Sequence, residues 1–213
     1  MKGIKFGNYH SWNDFSLILA QKTIGTPSPK TETIDIPGGD GVLDLTDFFG
    51  EVKYNNRNLS FEFSTMVPQE QFMDLFSRVQ NALHGQKMQI ILDDDSEWYY
   101  TGRITVSEWK AEKNIGQLTI DCDCEPFKTR HGDTVIFRAV EGTEATVILP
   151  NGIKPVVPII DITGNINLTF GTNFWALSEG RYELPALKLV NGDNTVLLSG
   201  TGTATFAYKE RRL

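Results

Sequence analysis

Cysteine is nearly absent: only Cys122 and Cys124 occur among 213 residues. So few thiols exclude a disulfide-stapled secreted scaffold and fit a reducing compartment. No apolar run approaches the roughly 20 residues that a membrane helix needs. The start, MKGIKFGNYHSW, has early lysine but no apolar core of signal-peptide length. Synthesis and folding in a cytoplasm are therefore expected, with no membrane partner. Basic residues are in deficit, 20 Lys and Arg against 27 Asp and Glu. A net charge of −7 argues against non-specific nucleic-acid binding, which needs clustered cations.

Catalytic signatures are missing as well. No G-x-S-x-G, H-E-x-x-H or G-x-G-x-x-G occurs, and the three histidines, His10, His84 and His131, are scattered. The Cys122-Asp-Cys124 pair lacks two further metal ligands, with His131 the only nearby candidate. Thiols at i and i+2 of a strand also sit near the upper limit of bridge geometry, so both read as buried free thiols. Asp93-Asp94-Asp95 with Glu97 begins like a calcium loop, but Trp98 stands where that loop needs glycine. An acidic hairpin turn is the better reading. The glycines of PGGDG are not followed by Lys-Ser/Thr and a helix, so no phosphate loop forms there. These absences imply no catalytic residue, no metal, no cofactor and no enzyme.

What is present is β-sheet patterning. Residues 34–54 read IDIPGGDGVLDLTDFFGEVKY, two alternating limbs about a Pro-Gly-Gly-Asp-Gly turn. Proline presets a turn φ and glycine allows positive φ, so a hairpin with a loop of about five residues is expected. Ile34 and Ile36 share a face; Val42 and Leu43 are adjacent and point opposite ways. Leu59, Phe61 and Phe63 alternate with Ser60, Glu62 and Ser64, the mark of a half-buried antiparallel strand.

One helix is expected, over about 68–84. Phe72, Leu75, Phe76, Val79 and Leu83 form a single apolar stripe, with Pro68 in the first turn and Gly85 as the stop. Strands are expected at 3–6 and 17–19, with HSWNDF a polar turn between them, and at 88–92, 98–105, 106–110 and 116–122, the last pair joined by a polar turn around Lys113-Asn114. The basic connector 126–133 marks a domain boundary, giving domains 1–130 and 131–213. The second has no helical pattern. Its strands are expected at 135–140, 145–149, 157–162, 165–170, 181–184, 186–190, 194–198 and 203–209, with turns at Gly164-Asn165 and others, which means a sandwich or jelly roll. Trp175, Phe174 and Tyr182 lie near its loops; core or interface packing is the first reading, sugar stacking the second.

Several ordered blocks resemble one family, the distal tail proteins of long-tailed phages. They are Phe6-Gly7 with His10-Ser11 and Asp14-Phe15; Ile36-Pro37-Gly38 with Asp40-Gly41 and Leu43-Asp44-Leu45-Thr46; and Tyr54 with Asn56-Arg57. Further on come Leu83-His84-Gly85, the segment WYYTGR from Trp98 to Arg103, Asp121-Cys122 with Pro126-Phe127-Lys128, and PIIDITG from Pro158 to Gly164 after Asn151-Gly152. The terminal Ala207-Tyr208-Lys209-Glu210 completes the set. The C-terminal part is too short for the carbohydrate-binding insertion that some members carry.

The resemblance implies a mainly β protein: an N-terminal split β-barrel with one helix, which forms a ring, and a C-terminal galectin-like β-sandwich. It implies a homo-hexamer at the virion tail tip, assembled in the bacterial host cytoplasm. That ring would join the tail-tube protein to the tail-associated hub protein and, in some phages, to receptor-binding proteins. DNA would pass through a lumen without basic lining and without specific binding. Ile34, Ile36, Asp40, Val42 and Leu43 are the ring-interface candidates; Trp175 and Tyr182 are the candidates for glycan or partner contact. The alternative function is a carbohydrate-binding module that attaches the particle to host glycans.

Overall fold

Arg57–Thr65 alternates buried and exposed side chains along its whole length, and this strand sets the plan of the first half. A computed structural model describes residues 2–48, 50–112 and 115–213. The protein is mainly β and divides into two compact units, Met1–Lys128 and Thr129–Arg212.

In the first unit the strands are β1 (Ile4–Phe6), β2 (Tyr9–His10), β3 (Ile18–Ile24), β4 (Thr33–Asp35), β5 (Val42–Asp44), β6 (Arg57–Thr65), β7 (Lys87–Leu92), β8 (Trp98–Glu112) and β9 (Ile115–Cys124). Seven of them form an antiparallel sheet in the order β2-β1-β7-β8-β9-β6-β3. That sheet curls. Phe6 on β1 meets Phe61 and Phe63 on β6 edge to face, at 5.9 and 6.3 Å between ring centres, although three strands separate them in the ladder. Such pairs are worth about 0.5–1.5 kcal/mol beyond their area burial. The acidic 93–95 turn fastens the same closure. Asp94 pairs with Lys22 of β3, Asp93 accepts from the Gly3 N–H at 2.6 Å, and Asp95 holds Lys128 at 2.6 Å.

Helix α2 (Phe72–Leu83) lies inside the curl, with Leu75, Val79 and Leu83 in the same buried cluster as Leu59, Phe61, Ile104 and Ile120. Pro68 stands before a 3-10 turn at Gln69–Gln71 instead of in the helix proper, and Gly85 follows the C-cap at φ 78°. Two expectations change in this unit. HSWNDF is not an irregular turn: Ser11–Phe15 is a one-turn helix, α1. The His10 ring accepts the Trp12 and Asn13 N–H groups at 3.2 and 3.3 Å, and Asp14 accepts the His10 N–H at 2.6 Å, so the turn is capped reciprocally. Residues 98–105 and 106–110 are one strand, not two. A bulge between Val106 and Glu108 shifts the alternation by one residue, which breaks the period without ending the strand. The turn expected at Lys113-Asn114 lies outside the described residues.

After β10 (Lys128–Arg130), which begins on the last residue of the first unit, the second contains β11 (Thr134–Glu141), β12 (Ala145–Asn151), β13 (Ile159–Phe170), β14 (Asn173–Leu177), β15 (Gly180–Glu183), β16 (Gly192–Tyr208) and β17 (Arg211–Arg212). Here the sequence misleads in an instructive way. Gly164 ends no strand: β13 runs through it, and β16 runs through Gly200 and Gly202, where two strands were expected in each case. Gly164 pairs with Gly202 and Ile166 with Gly200, all three glycines at positive φ, so both strands bend together. One end of β16 pairs β11 and the other β12; one end of β13 pairs β15 and the other β14. The two limbs bury one core that includes Ile160, Phe206, Leu168, Val196 and Leu198. Residues 186–190 make only a single bridge, Val156 to Leu189, while Leu187 and Leu189 plug that core. The unexpected strands are β14, a short edge, and the two brief strands β10 and β17, which pair with one another.

A Cβ on Gly202 would collide with the Thr163 carbonyl oxygen, and its φ of 149° suits no side chain. Gly202→Ala is expected to cost about 3 kcal/mol or more, read as a lowered melting temperature, while Gly132→Ala, which meets only open space, leaves it unchanged.

Glu210 is 7% exposed. It accepts from Arg130 and Thr134, each at 2.7 Å, and from Arg212 at 3.3 Å. Burial alone would raise its carboxyl, but the Thr134 and Arg130 hydrogen bonds outweigh burial and hold it below the usual glutamate range. A depressed carboxyl contributes stability that is present above the unfolded value of about 4.3 and lost as pH falls through the lower folded value. Melting temperature in the wild type should drop over that acid window, and Glu210→Gln should be less stable at pH 7 with a flatter acid limb.

Candidate functional site

Between Ser28 and Asn55 the first unit extends an arm. Its two legs are held together by Lys30 N–H to Lys53 O at 2.7 Å, Asn55 N–H to Ser28 O at 2.9 Å, and a bridge between Pro29 and Tyr54. Tyr54 stacks edge-on against Phe127, 5.7 Å between ring centres, and fixes the base. Farther out, Leu45 N–H bonds Glu32 O at 2.8 Å and Thr46 N–H bonds the Asp44 carboxylate at 2.9 Å. The Thr46 hydroxyl and N–H hold the Asp44 carboxyl below its ordinary range. At the tip, Gly39 N–H returns to Ile36 O at 3.0 Å across Pro37 and Gly38, and Gly38 sits at φ 76°. That is a type II turn, with proline where φ is preset and glycine where φ is positive.

Strands β4 and β5 form a sheet of their own, with Thr33 opposite Asp44, Ile34 opposite Leu43 and Asp35 opposite Val42. The register sorts the five interface candidates. Ile34, Ile36 and Leu43 share one face; Val42 stands on the other between Asp35 and Asp44, and Asp40 sits in the tip loop. Exposure is the telling quantity: Ile34 52%, Ile36 49%, Val42 55% and Leu43 49%. The hairpin thus presents an apolar row to solvent.

Trp175 on β14 stands opposite Leu168, and Tyr182 on β15 stands opposite Ile160, far along β13 from one another. Both pack partly buried against the core, and the Tyr182 hydroxyl donates to Ser178 O at 3.0 Å. The fold does not bring them together into a stacking shelf; Phe174, their neighbour, is the exposed ring. Cys122 and Cys124 are both buried on β9. Burial pushes the Cys124 thiol up to about 12 and the Cys122 thiol up as well. Among the described residues no group of three or more His, Cys, Asp or Glu is placed to hold a metal ion, and no helix is long and apolar enough to cross a membrane. Sequence reasoning missed the role of Arg57. It is buried, donates to Gly25 O at 2.8 Å and to Pro126 O at 3.3 Å, and lies over the Tyr100 ring.

The fold is similar to that of a solved phage protein. The particular likeness is to the SPP1 Dit protein, gp 19.1, whose crystal structure is described as a paradigm of the hub adsorption apparatus in phages that infect Gram-positive bacteria. The TM-score is 0.70, covering 98% of this chain and 99% of that one, at 12% sequence identity. No family model and no curated protein matches the sequence.

If the apolar row serves a partner and not the fold, removing it leaves stability alone. Ile34→Ser, Ile36→Ser and Leu43→Ser should each shift unfolding by no more than about 0.5 kcal/mol in a denaturant titration.

Proposed function

We propose that this protein is a structural component of a phage tail tip, a ring-forming distal tail protein that joins the tail tube to the tail-associated hub and the adsorption apparatus. It works by geometry and performs no catalysis. The observation that carries the reading is the likeness to SPP1 Dit over nearly the full length of both chains. The arm adds physical support. Ring closure by identical copies needs heterologous contacts, in which one patch meets a different patch on the neighbour. An arm with an unpartnered apolar row, fastened at its base by Tyr54 and Phe127, is suited to make one.

The first unit also offers a surface for a channel wall. Opposite the helix-bearing face, β6 presents Ser60, Glu62 and Ser64, paired across to Asp121, Thr119 and Gln117 of β9. Hydroxyls, amides and carboxylates dominate there; the cations on the same face, Lys110 and Arg103 of β8, are tied to Glu108 at 2.8 Å and to Gly85 O at 2.6 Å and so hold passing DNA weakly. In our reading this face lines the lumen, and the virion tail tip is where the protein resides after assembly in the host cytoplasm.

Electron microscopy of the purified protein and of assembled tails tests the proposal. Six-fold rings are expected, and Ile36→Asp should abolish them without lowering the melting temperature. A chain that is monomeric both in solution at micromolar concentration and in assembled tails overturns the reading, and a strongly positive channel in an assembled ring overturns the lumen assignment.

A further inference from the structure

The net charge of −7 is not spread over the chain. Glu32, Asp35, Asp40, Asp44, Asp47 and Glu51 lie in the arm with no lysine or arginine between Lys30 and Lys53 at its base, which leaves 21 acidic against 18 basic residues elsewhere. Among the described residues no cation pairs with Asp35, Asp40, Asp44 or Asp47; Lys53 at the base reaches Glu51 at 2.7 Å. Two arms therefore repel one another, and the open edges of β4 and β5 are kept from pairing arm to arm. What the arm seeks is an apolar strip beside a cation on a surface that is not another arm.

Three grooves formed by described residues of the first unit differ in this respect. One lies along the arm itself, lined by Lys30, Glu32, Leu45 and Lys53. A second, about 160 Å³, carries Glu62 and Glu108 against Lys110. The third, about 360 Å³, is lined by Gly7, Asn8, Tyr9, Lys87, Met88 and Gln89 and contains no acid. Tyr9 and Met88 supply apolar walls, the methionine being adaptable in shape. Lys87 supplies the cation, with Arg103 directly across the ladder from it. Lys87 is bonded to Glu125 at 2.8 Å, but both side chains are about half exposed, and an exposed pair of this kind is readily exchanged.

We infer that the arm of one copy docks in the Tyr9–Met88–Lys87 groove of a second copy, with Ile34, Ile36 and Leu43 against Tyr9 and Met88 and with the tip carboxylate of Asp40 toward Lys87. The inference rests on the ring reading above and names the acceptor. It also predicts the salt response. Raising salt from about 0.1 M to about 1 M shortens the Debye length from about 10 Å to about 3 Å, so self-association should weaken, whereas a purely apolar contact would not.

Charge reversal on the full chain tests it, with association read by sedimentation and folding by thermal melting. Lys87→Glu and Asp40→Lys should each weaken association by about tenfold or more, and the double variant should regain most of the loss. Both side chains are exposed, so neither change should unfold the chain; Lys87→Glu, which sets a second carboxylate beside Glu125, should lower the melting temperature only slightly. A Lys87→Glu chain that associates like the wild type, or a double variant no better than the worse single one, overturns the groove; if Ile36→Asp still abolishes rings, the ring reading stands. Rings that survive Lys87→Glu and Ile36→Asp alike overturn both, as does a wild-type chain that is monomeric both in solution and in assembled tails.

Discussion

The contact of Phe6 with Phe61 and Phe63 is the constraint from which the first unit follows. A flat seven-strand sheet would hold β1 and β6 several strand spacings apart, roughly 4.8 Å for each. Bringing three phenylalanines edge to face requires the sheet to curl, and the curl makes the trough that α2 fills with Leu75, Val79 and Leu83. Once the trough is filled, the opposite side of β6 and β9 is left to Ser60, Glu62, Asp121 and their neighbours. Core and polar wall are two consequences of one closure.

Acidic residues serve opposite ends in the two places where they gather. In the 93–95 turn each aspartate has its own partner, so the charges tie Gly3, Lys22 and Lys128 to one corner. In the arm the carboxylates face water, apart from local ties such as Asp44 to Thr46. The first cluster is tied into the fold and the second is left to solvent. Both are runs of Asp and Glu in the sequence; only the position of the cations in space tells them apart.

Much of the architecture was legible because single periods repeat cleanly. The stripe from Phe72 to Leu83 gave the helix, and the alternation from Leu59 to Thr65 gave the central strand. Errors cluster where one residue interrupts a period without ending an element: the bulge near Ser107, and Gly164, Gly200 and Gly202. A glycine between two apolar runs reads as a turn, and only pairing with a second glycine reveals a bend. The α1 turn was missed because its cap is a histidine ring, whose hydrogen bonds depend on the ring's placement. The arm was legible as a hairpin. Its exposure was not, since alternation marks two faces without saying which is covered.

The shared bend of β13 and β16 bears on how such a protein can acquire new parts. Because both strands run through both limbs of the second unit, neither limb is a separable module. A foreign segment inserted at the bend of either strand would interrupt a strand that takes part in three ladders. In the loops around Gly142 and Gly171, which join neighbouring strands, a Cβ would meet no neighbouring atom, although both glycines sit at positive φ. Growth of this unit by added domains is thereby channelled to its loops, and the glycine bend itself is closed to elaboration.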